Sequence, residues 1–251
     1  MSEPLLRPTD LECGSATDVG HHRDGNEDAV LVRPPVVVVA DGMGGHAQGE
    51  VASRLVVEAF EELLDGLDDR ELEPDDVLDA LRAANERMVA ASEEQGSSRP
   101  MGTTACGIAV VRAEGERRWA VFNIGDSRVY RYADGELQQV SVDHSEVAEL
   151  VQSGVLSPED AEDYPRRNVV TRSLGHEPML EVDLWLAPIA PGERYLMCTD
   201  GLTGEVDDDG LARLLGADEG AQATADRLLA AALDAGGHDN VTVAVVDVPE
   251  D

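Results

Sequence analysis

Short apolar runs rich in β-branched residues, each closed by turn residues, recur along the chain. Eight have the length and composition of strands: 36–40, 103–112, 118–124, 128–132, 137–142, 182–186, 194–199 and 241–248. Glu114-Gly115-Glu116 and Ala133-Asp134-Gly135-Glu136 read as hairpin turns, the second with an Asp-Gly pair that accepts positive φ, so three of the strands chain into a meander. Two helical patterns lie between the first strand and that meander. Val51, Leu55, Ala59 and Leu63 return every fourth residue, and Val77, Leu81, Ala84, Met88 and Ala91 form a second stripe opened by Pro74 and two aspartates. A third helical pattern covers 221–233. This order predicts an α+β fold in which antiparallel sheets are covered by helices. The periodicity leaves the number of layers open.

No Pro/Gly/Ser-rich linker and no internal repeat divides the 251 residues, so residues 12–251 are expected to form one domain behind a loose tail of residues 1–11. The start lacks the basic and apolar regions of a signal peptide, and the longest unbroken aliphatic stretch is too short to span a bilayer. A soluble, cytoplasmic monomer is the expectation. Cys13, Cys106 and Cys198 are odd in number and sit singly in or beside apolar runs, which suits small core residues in a reducing compartment.

The charge balance narrows the partners. There are 52 acidic residues against 19 basic ones, all of them arginine, for a net charge of −33. Such a field disfavours nucleic acid and anionic membranes, because both need a basic surface. It suits a solvated acidic surface, or one adapted to high salt.

Chemistry gathers where strands end. Apolar runs lead into Asp41-Gly42, Asp126-Ser127 and Asp200-Gly201, and Asp239-Asn240 immediately precedes the last run. Carboxylates brought together at neighbouring strand ends repel one another and require a multivalent cation or a shifted pKa. Oxygen-only donors select hard ions such as Mg²⁺ or Mn²⁺ over zinc. A glycine after the aspartate lets the main chain come close enough to offer a carbonyl. Any single Asp-Gly can be only a turn. Four such ends in one chain weaken that reading.

Eight ordered blocks then resemble one family, the metal-dependent protein phosphatases of type 2C in their bacterial form. They are RDGNEDA (23–29), VADGMGGH (39–46), MGTT (101–104), NIGDSR (123–128), DHS (143–145), RNVVTR (167–172), CTDGL (198–202) and GHDNVT (237–242). The resemblance runs from about residue 17 to 248. It implies a layered β-sandwich of two antiparallel sheets flanked by helices, and a serine/threonine phosphatase acting on phosphoserine and phosphothreonine proteins. It also implies two tightly bound Mn²⁺ or Mg²⁺ ions and a third, weaker one.

By the same resemblance Asp41 would bridge the central pair, with the Gly42 carbonyl, Asp200 and Asp239 completing the protein ligands. Glu27 and Asp28 would hold metal-bound waters or ligate weakly. Asp126 would serve the third ion together with Asp200. A water or hydroxide bridging two cations would attack phosphorus directly, without a covalent phospho-enzyme. Arg23 would clamp the phosphate, its guanidinium fork matching two phosphate oxygens; the alternative is a local pair with Glu27.

One departure concerns the leaving group. Where animal members carry a histidine after the bridging Asp-Gly, this chain has Met43, which cannot donate a proton. A metal-bound water or His46 remains as donor, and His144 and His238 near other blocks read as loop or outer residues. Residues 143–175 correspond to the family's flap beside the active site, an expected determinant of substrate choice. Serine/threonine kinases or their substrates are the implied partners. A silent binding module should have lost metal aspartates, all of which are present, and a metal-dependent nuclease conflicts with the negative charge.

Overall fold

The computed structural model describes residues 10–44, 47–68, 70–94, 101–161, 164–176 and 181–250. His46 and nearly all of the expected tail lie outside them. Strand β3 (Val36–Met43) explains why its valine run shows no alternation. Val37 and Val39 enter one core and Val36, Val38 and Ala40 another, so both faces of the strand are buried.

β3 belongs to a sheet with the order β2 (Asp28–Arg33), β3, β5 (Ala105–Ala113), β6 (Glu116–Ile124) and β9 (Asp183–Ala187), with the two-residue β4 (Gly102–Thr103) paired to the end of β3. The second sheet has the order β1 (Glu12–Asp18), β11 (Val241–Asp247), β10 (Arg194–Cys198), β7 (Arg128–Ala133) and β8 (Glu136–Gln139). Every pairing is antiparallel.

The sheets meet face to face through a core that includes Val39, Ile108 and Trp119 from one and Tyr195, Met197 and Val246 from the other. The Trp119 and Tyr195 rings pack across this seam at 5.3 Å. Helices α1 (Ala47–Asp65) and α2 (Pro74–Glu94) cover the outer face of the first sheet, with Phe60 against Phe122 at 5.5 Å. On the outer face of the second, α6 (Asp208–Leu215) and α7 (Ala221–Ala235) bury Leu211, Leu215 and Leu228 against Leu196, Val243 and Val245. The architecture is therefore helix, sheet, sheet, helix.

Both expected hairpin turns are present. Glu114 with Gly115, and Asp134 with Gly135, have positive φ at both central positions, the turn form that matches strand twist. The structure differs from the sequence reading in several places. The expected meander is two hairpins in different sheets, β5–β6 and β7–β8, and α6 lies outside the expected helical patterns. β1 and β2 were not expected, since residues 12–18 alternate small and polar side chains and the 28–33 run is short and ends against two prolines. The expected strand 103–112 is broken at Thr104, between β4 and β5. The expected strand 137–142 ends at Gln139, because Val140 and Ser141 both turn their N–H groups to the Val129 carbonyl. The segment 143–175 contains two short helices, α3 (Glu146–Gln152) and α4 (Pro158–Ala161), and is tied down by a Ser145–Val170 bridge.

Candidate metal centre

One rim of the sandwich collects the aspartates. Asp41 closes β3, and the Thr104 break serves it. Thr104 Oγ1 accepts from the Asp41 N–H at 3.0 Å, and the Thr103 hydroxyl and the Thr104 N–H donate to the Asp41 carbonyl at 2.8 and 2.9 Å. Asp28 lies opposite Asp41 in the β2–β3 register. From the other sheet, Asp200 opens the one-turn helix α5 (Asp200–Thr203) just after β10, and Asp239 precedes β11. Asp126 occupies the turn between β6 and β7. Thr199 joins the two sheets at this rim by donating to Asp28 Oδ2 at 3.0 Å while its hydroxyl oxygen accepts from the Thr242 N–H.

Gly42 sits where only glycine fits, since a Cβ there would lie 2.1 Å from the Gly49 carbonyl oxygen. Gly49 in turn opens α1 against the Gly42 carbonyl and the Glu27 carboxylate, and a Cβ on it would come within 2.8 Å of both acceptors' oxygens. Sequence reasoning missed Gly49. Its signal was a glycine in the first turn of an apolar stripe, a position that costs helix stability without a packing reason. Asn240 was also missed as a site residue. Its amide donates to the Val19 and Gly25 carbonyls at 2.9 Å and its oxygen accepts from the Glu27 N–H at 2.8 Å, which fixes the loop carrying Arg23 and Glu27.

The electrostatics follow from crowding. Burial pushes Asp28 up to about 7, with the charges of Asp200 and Asp239 adding to the shift. Burial, then Asp200 and Asp143, push Asp126 up to about 7. Asp41 is raised well above the carboxylate range by burial and by Asp28, Asp200, Asp126 and Asp239 together. Asp200 is raised by burial and Asp239, and a hydrogen bond with Asp41 opposes the rise. Two carboxylates at that separation need a proton or a cation between them.

Arg23 Nη2 donates to Asp239 Oδ2 at 2.5 Å and leaves half of its side chain exposed. Asp126, Asp200 and Asp239 line a pocket of ≈ 590 Å³ together with Arg167 and Asn168. His238 lines it too, paired to Glu205 at 2.6 Å and stacked on His22 at 4.7 Å.

The donors suit a hard divalent ion. Asp28 Oδ1 is buried without a hydrogen-bond partner among the described residues, and burial and mutual repulsion raise the pKa values of Asp28, Asp41, Asp126 and Asp200, a cost that a cation among them would offset. No three His, Cys, Asp or Glu side chains among the described residues close into an all-protein cage. Carboxylates that line an open pocket leave room for water, as hard ions require. Of the site residues expected from sequence, Asp28, Asp41, Gly42, Asp126, Asp200, Asp239, Glu27 and Arg23 all come to this rim.

Comparison with known families decides the affiliation. The family model for protein phosphatase 2C matches residues 21–234. The chain belongs to the protein phosphatase 2C family. Among sequence relatives of this family, the serine/threonine protein phosphatase PstP of Mycobacterium tuberculosis is 41% identical over 242 residues, covering 95% of this chain and 45% of that protein. The chain thus spans about half the length of PstP. The serine/threonine phosphatase stp of Listeria monocytogenes is 36% identical over 240 residues, covering 92% of this chain and 93% of its own length. The crystal structure of M. tuberculosis PstP/Ppp superposes with a TM-score of 0.84 at 39% identity over 95% of this chain and 99% of that one. The PstP catalytic domain in complex with two manganese ions gives 0.83 at 38% identity, over 95% and 98%. The protein phosphatase 2C architecture of two antiparallel sheets between helices is therefore the fold of this chain. Among the described residues no helix is long and apolar enough to cross a membrane.

Proposed function

We propose that this chain is a metal-dependent phosphatase that hydrolyses phosphoserine and phosphothreonine esters of proteins. The observation that carries the reading is the convergence at one rim of Asp41 from the first sheet with Asp200 and Asp239 from the second, where Asp200 and Asp239 line the pocket and Arg23 is paired to Asp239. Asp41, the Gly42 carbonyl, Asp200 and Asp239 would hold two Mn²⁺ or Mg²⁺ ions. Asp126 with Asp200 would hold a third, weaker one, and Glu27 and Asp28 would orient waters around them. When bound, such ions would supply Lewis acidity and lower the pKa of a water, the nucleophile for direct hydrolysis of the phosphate ester.

The chain's own residues bind and orient. Arg23 turns from Asp239 toward the incoming phosphate and neutralises two of its oxygens. The flap, residues 143–175, presents Arg167 and Asn168 to the polypeptide around the phosphorylated residue. Asn240 keeps the Arg23 loop from drifting. Phosphoproteins are the partners this assigns, including serine/threonine kinases or their substrates. The negative field supports a monomer that binds neither nucleic acid nor membrane, the single unpaired cysteines suit the cytoplasm, and residues 12–251 act as one catalytic domain.

Turnover of a phosphothreonine peptide and of p-nitrophenyl phosphate with Mn²⁺, with Mg²⁺ and with excess chelator tests the reading, with a DNA oligonucleotide as control. Hydrolysis of both phosphate esters with either ion, none in chelator and no cleavage of DNA are expected. Full activity in chelator would refute it.

A further inference from the structure

His144 is only 4% exposed beside the pocket, and nothing in the proposed chemistry uses it. Its main chain is fixed on both sides: its N–H donates to the Gly125 carbonyl at 2.9 Å, and its carbonyl accepts from the Thr171 N–H at 2.8 Å. Its ring repeats the pattern. Nδ1 accepts from the Gly125 N–H at 3.2 Å, and Nε2 lies 3.2 Å from Asp183 Oδ2 at the head of β9.

The Gly125 contact settles the tautomer. A peptide N–H can only donate, so Nδ1 must offer its lone pair and the ring proton sits on Nε2, facing the carboxylate. The Arg172 guanidinium, 3.4 Å from Nε2, would need the opposite tautomer to donate there; it is instead the neighbour of Asp183 Oδ1 at 3.5 Å.

Both polar main-chain groups of Gly125 are thus taken by one residue, and Gly125 is the residue before Asp126. Gly125 has φ +109°, and a Cβ there would lie 2.5 Å from Thr104 Cγ2. The turn is held from above by His144 and from below by Thr104, with the Asn123 amide donating to the same carbonyl at 3.1 Å. Thr171 and Arg172, on the other side of His144, belong to the far end of the flap.

We infer that His144 is a positioning residue that acts in two directions. It sets the Asp126 carboxylate through Gly125, and it ties that turn to the flap through Thr171 and the Asp183–Arg172 pair. Asp126 and the flap residues Arg167 and Asn168 then face each other across the pocket at a fixed spacing. The inference rests on the reading of Asp126 as a residue that serves catalysis. A ring that merely filled space could be replaced by phenylalanine, whereas a ring that accepts from Gly125 could not.

The experiment compares His144→Phe and His144→Asn, each alone and combined with Asp126→Ala. His144→Phe should lower kcat on a phosphothreonine peptide at least about tenfold with a smaller change in KM. His144→Asn, whose side-chain oxygen can still accept from the Gly125 N–H, should recover most of that loss. On the Asp126→Ala background His144→Phe should cost no further kcat, because its route to the chemistry through Asp126 is already gone, while the smaller KM change that comes from the flap should remain.

Two readouts are independent of the loaded enzyme. In metal-free parent protein, nitrogen-15 NMR should find His144 protonated on Nε2 and bare on Nδ1. Amide exchange at Gly125 should be slow in the parent and in His144→Asn, and fast in His144→Phe. A proton on Nδ1, equal exchange in all three proteins, or fully additive losses in the double variant would each overturn the inference. If Asp126→Ala proves as active as the parent, the reading of Asp126 fails instead, and the tautomer and exchange measurements alone decide whether His144 clamps the turn. Should His144→Phe not fold, the tautomer in the parent still decides.

Discussion

Asp28 and Asp41 face each other on the last rung of the β2–β3 ladder, so two carboxylates share one strand end. Like charges directly opposite in a sheet destabilise it, and here burial magnifies the cost.

Asp28 gives the first prediction. Burial pushes its folded pKa up to about 7, well above the ordinary carboxylate range. A raised carboxylate contributes stability that is fully present below the unfolded value and is lost as pH rises through the folded one. In excess chelator, Asp28→Asn should therefore melt higher than the parent, with a gap that widens from pH 5 to pH 8. Each kcal/mol is worth about 2–4 °C for a chain of this size. Saturating Mn²⁺ should shrink the gap. Differential scanning fluorimetry across pH reads both, and a gap that narrows with rising pH in chelator would contradict the crowding described here.

Arg23→Ala should raise KM and lower kcat together, since a phosphate clamp acts in both ground and transition states. The expected loss in kcat/KM is at least about tenfold, or ~1.4 kcal/mol. Metal affinity should change little, because Asp239 stays oriented by the Asn240 N–H at 2.7 Å. Steady-state kinetics beside calorimetric Mn²⁺ titration separates the two effects. Unchanged kinetics would leave Arg23 as nothing more than the partner of Asp239.

Asp126→Ala should leave two tight ion sites and a folded protein, because Asp41, Gly42 and Asp239 are held by contacts that do not involve it. kcat should drop at least about tenfold, and more on phosphopeptides than on p-nitrophenyl phosphate. A serine or threonine alkoxide needs protonation to leave, p-nitrophenolate needs little, and Met43 supplies no proton. Equal defects on both substrates, or loss of the tight sites, would assign Asp126 to the central pair.

Raising NaCl from about 0.1 M to about 1 M shortens the screening length from ~10 to ~3 Å. With a net charge of −33 the melting temperature at neutral pH should rise. A flat or falling curve would mean that the arginine–carboxylate pairs lost to screening outweigh the repulsion relieved.

Asp41, Asp126, Asp200 and Asp239 were legible before any coordinates because each adjoins an apolar run and strand ends congregate at sheet rims. The layer count was not, since a run such as 36–40 reads the same whether its second face meets a helix or another sheet. β1 stayed hidden because its side chains are small and mixed, and what makes it a strand is the ladder offered by β11. Gly49 and Asn240 were illegible for a related reason. Their roles are defined by groups far away in sequence, the Gly42 carbonyl and the 19–27 loop.

The strand order carries a consequence for synthesis. β11 lies between β1 and β10, so until it is made the second sheet has a vacant slot between its earliest strand and β10. Asp239 arrives only with the residues that fill that slot. A nascent chain on the ribosome therefore presents Asp41, Asp126 and Asp200 one after another without the fourth carboxylate. Full affinity for ions should appear in a single late step, when the last strand slides between two edges that are already waiting for it.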